Sequence, residues 1–356
     1  MGSKNYKIKK KHLYILHVTN LNERHNGRLF YNTGRRINNG LVRLRHNVMT
    51  ISDRDIVSKN RKISDIDGSK SLNEIFIKTV DNFNPDLIIL GHADLIRKKS
   101  IEFIKKKNPE IKICQWFLDR MDSKWIINKR RFLDKIDIID ASFCTTDPKV
   151  LNFKKKYKVF YMPNPVDVSF ENLKAYENKN SEYDLFFAMS HGVHRGRLKK
   201  GKFDQREVFL NKLIKCNTDK KFDFYGFDNT EPLWGDDFKE QIYKSKMALN
   251  LSQGKPLRYY SSDRIAQLIG NGLLTFIDEK TKLNDFFTKD EVIFYKNERD
   301  LTSKMDFMLK NDKLRVSISK KGRSKYHKFF NSNLVAEFII NKTFNIKKKY
   351  YWESKH

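Results

Sequence analysis

Short apolar runs rich in Val, Ile, Leu and Phe recur along the chain, with helically spaced segments between them. HLYILHVT (12–19), NVMTIS (47–52), PDLIILGHAD (85–94), IKICQWFLD (111–119), ASFCTT (141–146) and KVFYMPNPVD (158–167) read as strands. The intervening stretches 28–45, 71–83, 97–107, RRFLDKID and 148–156 read as helices. Residues 168–182 lose this periodicity and read as a linker. The alternation then restarts with YDLFFAMS (183–190), FDFYGF (222–227), MALNLS (247–252), LLTFID (273–278) and VIFY (292–295). Helical spacing covers 205–216, 235–246, 260–270, 298–311, 313–330 and 333–344. Strands that are apolar throughout are buried on both faces, which requires parallel sheets covered by helices. The expected fold is α/β, with two Rossmann-like domains whose parallel sheets face a cleft. The expected limits are 1–167, 168–332, and a final segment, 333–356, that forms a returning helix and a basic tail.

The charge balance narrows the partners. Lys and Arg number 72 against 43 Asp and Glu, a formal net charge of +29. Such a field attracts nucleic acid, anionic lipid or phosphorylated ligands. A compositional bias toward Lys, Asn and Ile accounts for the excess equally well. The basic runs, such as Lys105-Lys106-Lys107 and Lys347-Lys348-Lys349, are short and dispersed. No helix-turn-helix, zinc or RNP signature accompanies the charge, so no specific nucleic acid is expected as a partner; a nucleic-acid-binding or DNA-modifying protein is the alternative reading. The three cysteines fit no zinc spacing, and a reducing compartment is the default. No signal peptide and no apolar run of membrane-spanning length stands out, so a cytoplasmic location is expected. Neither domain carries G-x-G-x-x-G after its first strand, nor a Walker A pattern. No nicotinamide or flavin cofactor is therefore expected.

In doubly wound sheets, ligands bind beyond the carboxyl ends of the strands. In the first half those positions hold Asn20, Glu23 and His25, then His92 and Asp94, then Asp119, Arg120 and Asp122, then Thr145, Thr146 and Asp147. His92 and Asp119 are the candidate general bases. The second half carries cations and glycines instead. HGVHRGRLKKGK (191–202) supplies His191, Arg195, Arg197 and Lys202; Gly226, Gly254, Lys255, Arg258, Ser261, Ser262 and Arg264 follow. Arg offers a fork of donors, Lys a point charge, and Gly a close approach of backbone amides, a set suited to phosphate oxygens. Either Ser262 or Asp263 is expected to cap the helix that follows, with free amides at its start.

YGF (225–227), PLWGDDF (232–238), MALNLSQGKP (247–256), SSDRIAQLIGNGLLTFID (261–278) and the tail from LTSKMDFML to KYHKFF resemble, in that order, the C-terminal domain of CgeB-like glycosyltransferases of the GT-B fold. YMPNPVD (161–167) is similar to the segment that ends the first domain in many such enzymes. The resemblance covers about residues 158–344; the first half is linked only by its fold pattern. It implies a nucleotide-sugar bound on the C-terminal domain as co-substrate and an acceptor bound mainly on the N-terminal one. It also implies that Arg, Lys and helix amides, rather than a metal, stabilise the leaving diphosphate. Arg264 matches an Arg that opens this helix in the family, and Gln267 falls where relatives commonly place a ribose-binding Glu. Many retaining relatives carry two Glu eight positions apart; Tyr259 and Gln267 stand there in this chain.

The expected function is sugar transfer to a hydroxyl of a cell-envelope glycan, glycolipid or lipid-linked saccharide, with possible peripheral contact with an anionic membrane. A GT-B relative that is not a transferase, such as a nucleotide-sugar epimerase or a silent scaffold, shares the same expected donor site.

Overall fold

The computed structural model describes residues 12–63, 65–190 and 204–353. The chain forms two compact units: one runs to Pro165 and takes the chain back at Asn331, and the other is Val166–Phe330.

The first unit is a six-stranded parallel sheet in the order β2-β1-β3-β4-β5-β6. Its strands are β1 (Tyr14–Thr19), β2 (Asn47–Ile51), β3 (Leu87–Gly91), β4 (Lys112–Phe117), β5 (Ala141–Cys144) and β6 (Val159–Tyr161). Its helices are α1 (Thr33–Arg43), α2 (Asp53–Lys59), α3 (Ser69–Phe83), α4 (Lys98–Lys107) and α5 (Ile126–Leu133). The expected helix at 148–156 is only a 3-10 turn over Pro148–Leu151. Helix α2 escapes the apolar periodicity because two of its three buried residues are Asp53 and Asp55.

Leu16, Val18, Ile88, Leu90 and Ile113 pack on one face against Leu72, Phe76 and Val80 of α3 and Ile101 and Ile104 of α4. Helix α1 packs on the returning helix, named α11 below. A Cβ on Gly40 would stand 2.2 Å from the Ser332 carbonyl, so only glycine permits that approach.

The second unit is a five-stranded parallel sheet in the order β11-β10-β9-β7-β8. Its strands are β7 (Tyr183–Ala188), β8 (Phe222–Tyr225), β9 (Ser245–Asn250), β10 (Leu274–Asp278) and β11 (Ile293–Tyr295). Its helices are α6 (Gln205–Lys215), α7 (Gly235–Lys244), α8 (Arg264–Gly270), α9 (Glu298–Lys310) and α10 (Asp312–Phe329). The last helix, α11 (Ser332–Thr343), belongs to the first unit. One sheet face packs Leu185, Phe187, Met247 and Leu249 under Leu210 and Leu213 of α6 and Leu301 and Met305 of α9. The other packs Phe186, Ala188 and Ala248 under Ile242 of α7 and Leu268 of α8.

The expected linker is a packed strap. Phe170, Glu171 and Ala175 are buried, the amides of Leu173 and Ala175 donate to the Asn271 side chain and backbone oxygens, and Arg323 donates to the Leu173 carbonyl. Its polar composition hid this, because its anchors are mostly hydrogen bonds.

Candidate functional site

A doubly wound sheet binds ligands where consecutive connections leave to opposite faces. In the second unit that point lies between β7, followed by α6 on one face, and β9, followed by α8 on the other. Arg264 spans it. Its Nε donates to the Ala188 carbonyl at 2.8 Å and its Nη1 to the Leu251 carbonyl at 3.0 Å. The guanidinium lies 4.9 Å from the Phe187 ring centroid. Burial, with Arg206 nearby, lowers its pKa to about 10, so it stays cationic at neutral pH. The expected phosphate ligand is thus also a brace that holds the two strand ends together.

Ser261 is buried and tied to the end of β9: the Asn250 amide donates to its hydroxyl at 3.1 Å. Ser262 is half-buried beside it. Asp263 occupies the cap position of α8, but its side chain makes no capping bond; its Oδ2 accepts from the Gln267 amide at 3.2 Å. The expected phosphate-binding helix start is therefore weak. The helix has 7 residues, and the Asp263 carboxylate sits at its cap position.

Arg258 is committed elsewhere. Its Nη2 donates to the Tyr259 hydroxyl at 2.7 Å and lies 3.3 Å from Asp285 Oδ2, while its guanidinium covers the Tyr259 ring. Tyr259 itself is buried at φ +61°, and its hydroxyl donates to Asp285 at 2.7 Å. Tyr259 thus shapes a turn. Gly254, at φ +79°, opens the loop that leaves Lys255 exposed, with no ion pair among the described residues. Gly226, at φ +66°, lies under the Met189 carbonyl, which a Cβ would approach to 1.7 Å. It permits the contact between the ends of β7 and β8. His191, Arg195, Arg197 and Lys202 lie outside the described residues.

The corresponding point of the first unit lies between β1 and β3. His92 follows β3 at φ +50°, stacked 4.1 Å from the Phe117 ring. Its Nε2 accepts the Leu118 backbone N–H at 2.7 Å, which puts the proton on Nδ1, 3.8 Å from Asp119 Oδ2. Burial lowers its pKa, against the opposing pull of Asp119. His92 thus has its lone pair engaged by the turn, while the Asp119 carboxylate beside it is exposed. Arg120 is buried and pairs with Asp122 at 2.6 Å.

Sequence reasoning missed three contributors. Arg206, held by Asp204 at 2.6 Å, joins the electrostatic environment of Arg264. Asn250 and Asp285 position Ser261 and Tyr259. Asp204, capping α6 through the Arg206 amide, was the one local signal available. Among the described residues, no group of three or more His, Cys, Asp or Glu is arranged to hold a metal ion.

Residues 205–341 match the family model described as glycosyl transferase-like. No curated protein matches the chain. Among solved structures, sucrose-phosphate synthase from Thermosynechococcus elongatus superposes with a TM-score of 0.60 at 9% identity, covering 92% of this chain and 97% of that one. AviGT4, a glycosyltransferase involved in avilamycin A biosynthesis, gives 0.58 at 11% identity, covering 93% and 97%. Anabaena HepE in complex with UDP and glucose gives 0.55 at 9% identity, covering 93% and 99%. The two parallel sheets are those of the GT-B fold, and the second carries the glycosyl transferase-like segment.

Proposed function

We propose that this GT-B glycosyltransferase takes its sugar from a nucleotide-sugar bound at the β7/β9 edge and transfers it to a hydroxyl of a cell-envelope glycan or lipid-linked saccharide. The observation that carries the donor assignment is the Arg264 guanidinium fixed across both strand ends. It is a cation already held in place at the ligand position of the topology, so it needs no reorganisation when charge develops on a leaving diphosphate. The exposed Lys255 adds a second cation. UDP is the first donor nucleotide to try, since HepE is seen in complex with UDP and glucose.

In this reading the acceptor oxygen attacks the anomeric carbon, and the bond from that carbon to the diphosphate oxygen breaks. Asp119 takes the hydroxyl proton if the reaction inverts configuration. Arg264 and Lys255 take up the charge of the diphosphate. Location on the cytoplasmic side, peripheral to a membrane, belongs to the same proposal. No helix among the described residues is long and apolar enough to cross a membrane.

The test is a thermal-shift panel of UDP, GDP, ADP and CMP and their sugar conjugates, followed by product analysis with the stabilising donor. Free nucleoside diphosphate and a glycosylated acceptor are expected. A product that keeps its diphosphate with an inverted sugar centre would make the protein an epimerase. No stabilisation by any nucleotide, together with salt-sensitive binding of random DNA, would sink the donor site.

A further inference from the structure

The segment between α2 and α3 lifts two isoleucines into solvent: Ile63 is 98% and Ile66 81% exposed. These are the two most exposed large apolar side chains among the described residues. The described residues on either side of position 64 are anchored. Lys62 and Asp65 form an antiparallel bridge, and the buried Asp65 carboxylate accepts the amides of Lys70 and Ser71 at 3.1 and 2.7 Å. Gly68, at φ +70°, lies so close to Val57 that a Cβ would meet the Val57 carbonyl at 2.4 Å. A tip anchored this way shows its apolar residues at a constant cost, which calls for something to cover them.

Charge indicates what covers them. Lys59, Arg61, Lys62 and Lys70 are exposed around the tip and form no ion pair among the described residues. Asp65 and Asp67 lie in the same stretch and stay ionised on backbone amides, so the four cations outnumber the carboxylates between them two to one. The tip also stands on the functional edge of its sheet: it leads into α3, whose Ser69 hydroxyl accepts from Arg97 in the loop after β3. Further exposed apolar residues, Phe30, Ile126, Ile127 and Val150, lie on the segments that leave β1, β4 and β5.

We infer that residues 59–63 and 65–70 dock the first unit on an anionic lipid surface, with Ile63 and Ile66 entering the acyl boundary and the four cations at the headgroups. A narrow apolar tip in a basic collar suits a deformable charged interface. A stable protein interface asks for a continuous patch of about 800 Å² on each side, which two isoleucines do not make. The inference rests on the proposed lipid-linked acceptor and narrows it: the acceptor hydroxyl is carried by a membrane lipid and reaches the edge that holds Asp119.

The experiment uses the full chain in co-sedimentation with vesicles of phosphatidylcholine alone and of phosphatidylcholine with phosphatidylglycerol. Binding to the mixed vesicles only, weakened by added salt, is expected. Ile63→Ser/Ile66→Ser should weaken it roughly tenfold or more while leaving the melting temperature and the nucleotide-induced shift unchanged. Arg61→Glu/Lys62→Glu should abolish it. Equal binding by the double-serine variant and the unsubstituted chain overturns the inference, as does no binding to anionic vesicles. Light scattering that finds a dimer lost in the double-serine variant assigns the tip to a second copy and also overturns it. The nucleotide shift reads the donor site separately, so failure on vesicles with an intact shift leaves the transferase reading standing.

Discussion

The backbone N–H of Leu118 donates to Nε2 of His92 over 2.7 Å, and this bond separates the roles of the two first-unit candidates. A base needs a free lone pair. On His92 that pair is engaged, and Nδ1 carries the proton facing Asp119 at 3.8 Å. Asp119→Asn is therefore expected to lower kcat by about 10²–10⁴-fold, the usual contribution of a positioned base, with little change in donor KM. His92→Gln keeps an acceptor for the Leu118 amide and should stay within about tenfold of the unsubstituted enzyme, because it disturbs only the orientation of the turn. Steady-state kinetics of the two variants decides this, and the reverse ranking would return the proton to His92.

Arg264 has a structural load beside its proposed ligand. Two carbonyls at the ends of β7 and β9 take its Nε and Nη1 hydrogens, and a side chain without donors leaves both unmet. Arg264→Ala is expected to lose the nucleotide-induced thermal shift and also about 3 kcal/mol of stability, from two charge-assisted bonds. Urea unfolding with and without nucleotide separates the two effects. Loss of the shift at unchanged stability would mean that the brace is dispensable; loss of stability with a normal shift would mean that the diphosphate lies elsewhere.

Asp53 should make stability depend on pH in an unusual direction. It is fully buried at the start of α2, neither oxygen has a well-formed hydrogen bond, and burial raises its pKa from 3.8 to about 6. Between those values the unfolded chain holds fewer protons than the folded one, so this group's contribution to stability falls as pH rises through that window. The penalty is complete above about pH 6 and amounts to about 3 kcal/mol. Asp53→Asn should thus stabilise the protein most near pH 7.5, and the gain should vanish near pH 4. The comparison must be a difference between variant and unsubstituted chain, because His17, lowered to about 4 by burial, changes stability in the opposite sense as pH falls. A gain that does not vary with pH would show that Asp53 is not the titrating group.

The fold was legible because its parallel strands are buried on both faces, and runs such as LIIL (87–90) and LFFA (185–188) have no other use for their composition. Helix α2 was not legible, because its buried side includes carboxylates held by tertiary bonds that no periodicity reveals. Asp55, for instance, accepts the amides of Glu23 and Arg24. At the candidate site, the strand-end rule picked out His92 by position alone, and the family resemblance picked out Arg264. What neither could supply was who else binds them. The Ala188 and Leu251 carbonyls and the Leu118 amide are backbone groups brought in by register; they give Arg264 a bracing load beside its expected ligand role and engage the lone pair of His92. The Asp285 partner of Arg258 escaped for the same reason, since it lies 27 residues further on.

Lys255 and Arg258 are close in sequence and alike in charge, and the structure predicts opposite outcomes for them. Arg258 is bound to Tyr259 and Asp285, so Arg258→Ala removes the pairing of a buried turn whose Tyr259 already sits at φ +61°. The expected cost is about 1–2 kcal/mol of stability with donor KM nearly unchanged. Lys255 touches no charged group among the described residues and stands on a loop opened by Gly254. Its removal should leave stability within about 0.5 kcal/mol, as for an ordinary surface change. If its ammonium meets the diphosphate, Lys255→Ala should raise donor KM roughly tenfold, the size of one charge-assisted contact. That increase should shrink as salt is added, because an exposed cation is screened. Unfolding curves and donor saturation curves on both variants are enough. A KM effect confined to Arg258→Ala would move the donor toward Asp285 and away from the loop after β9.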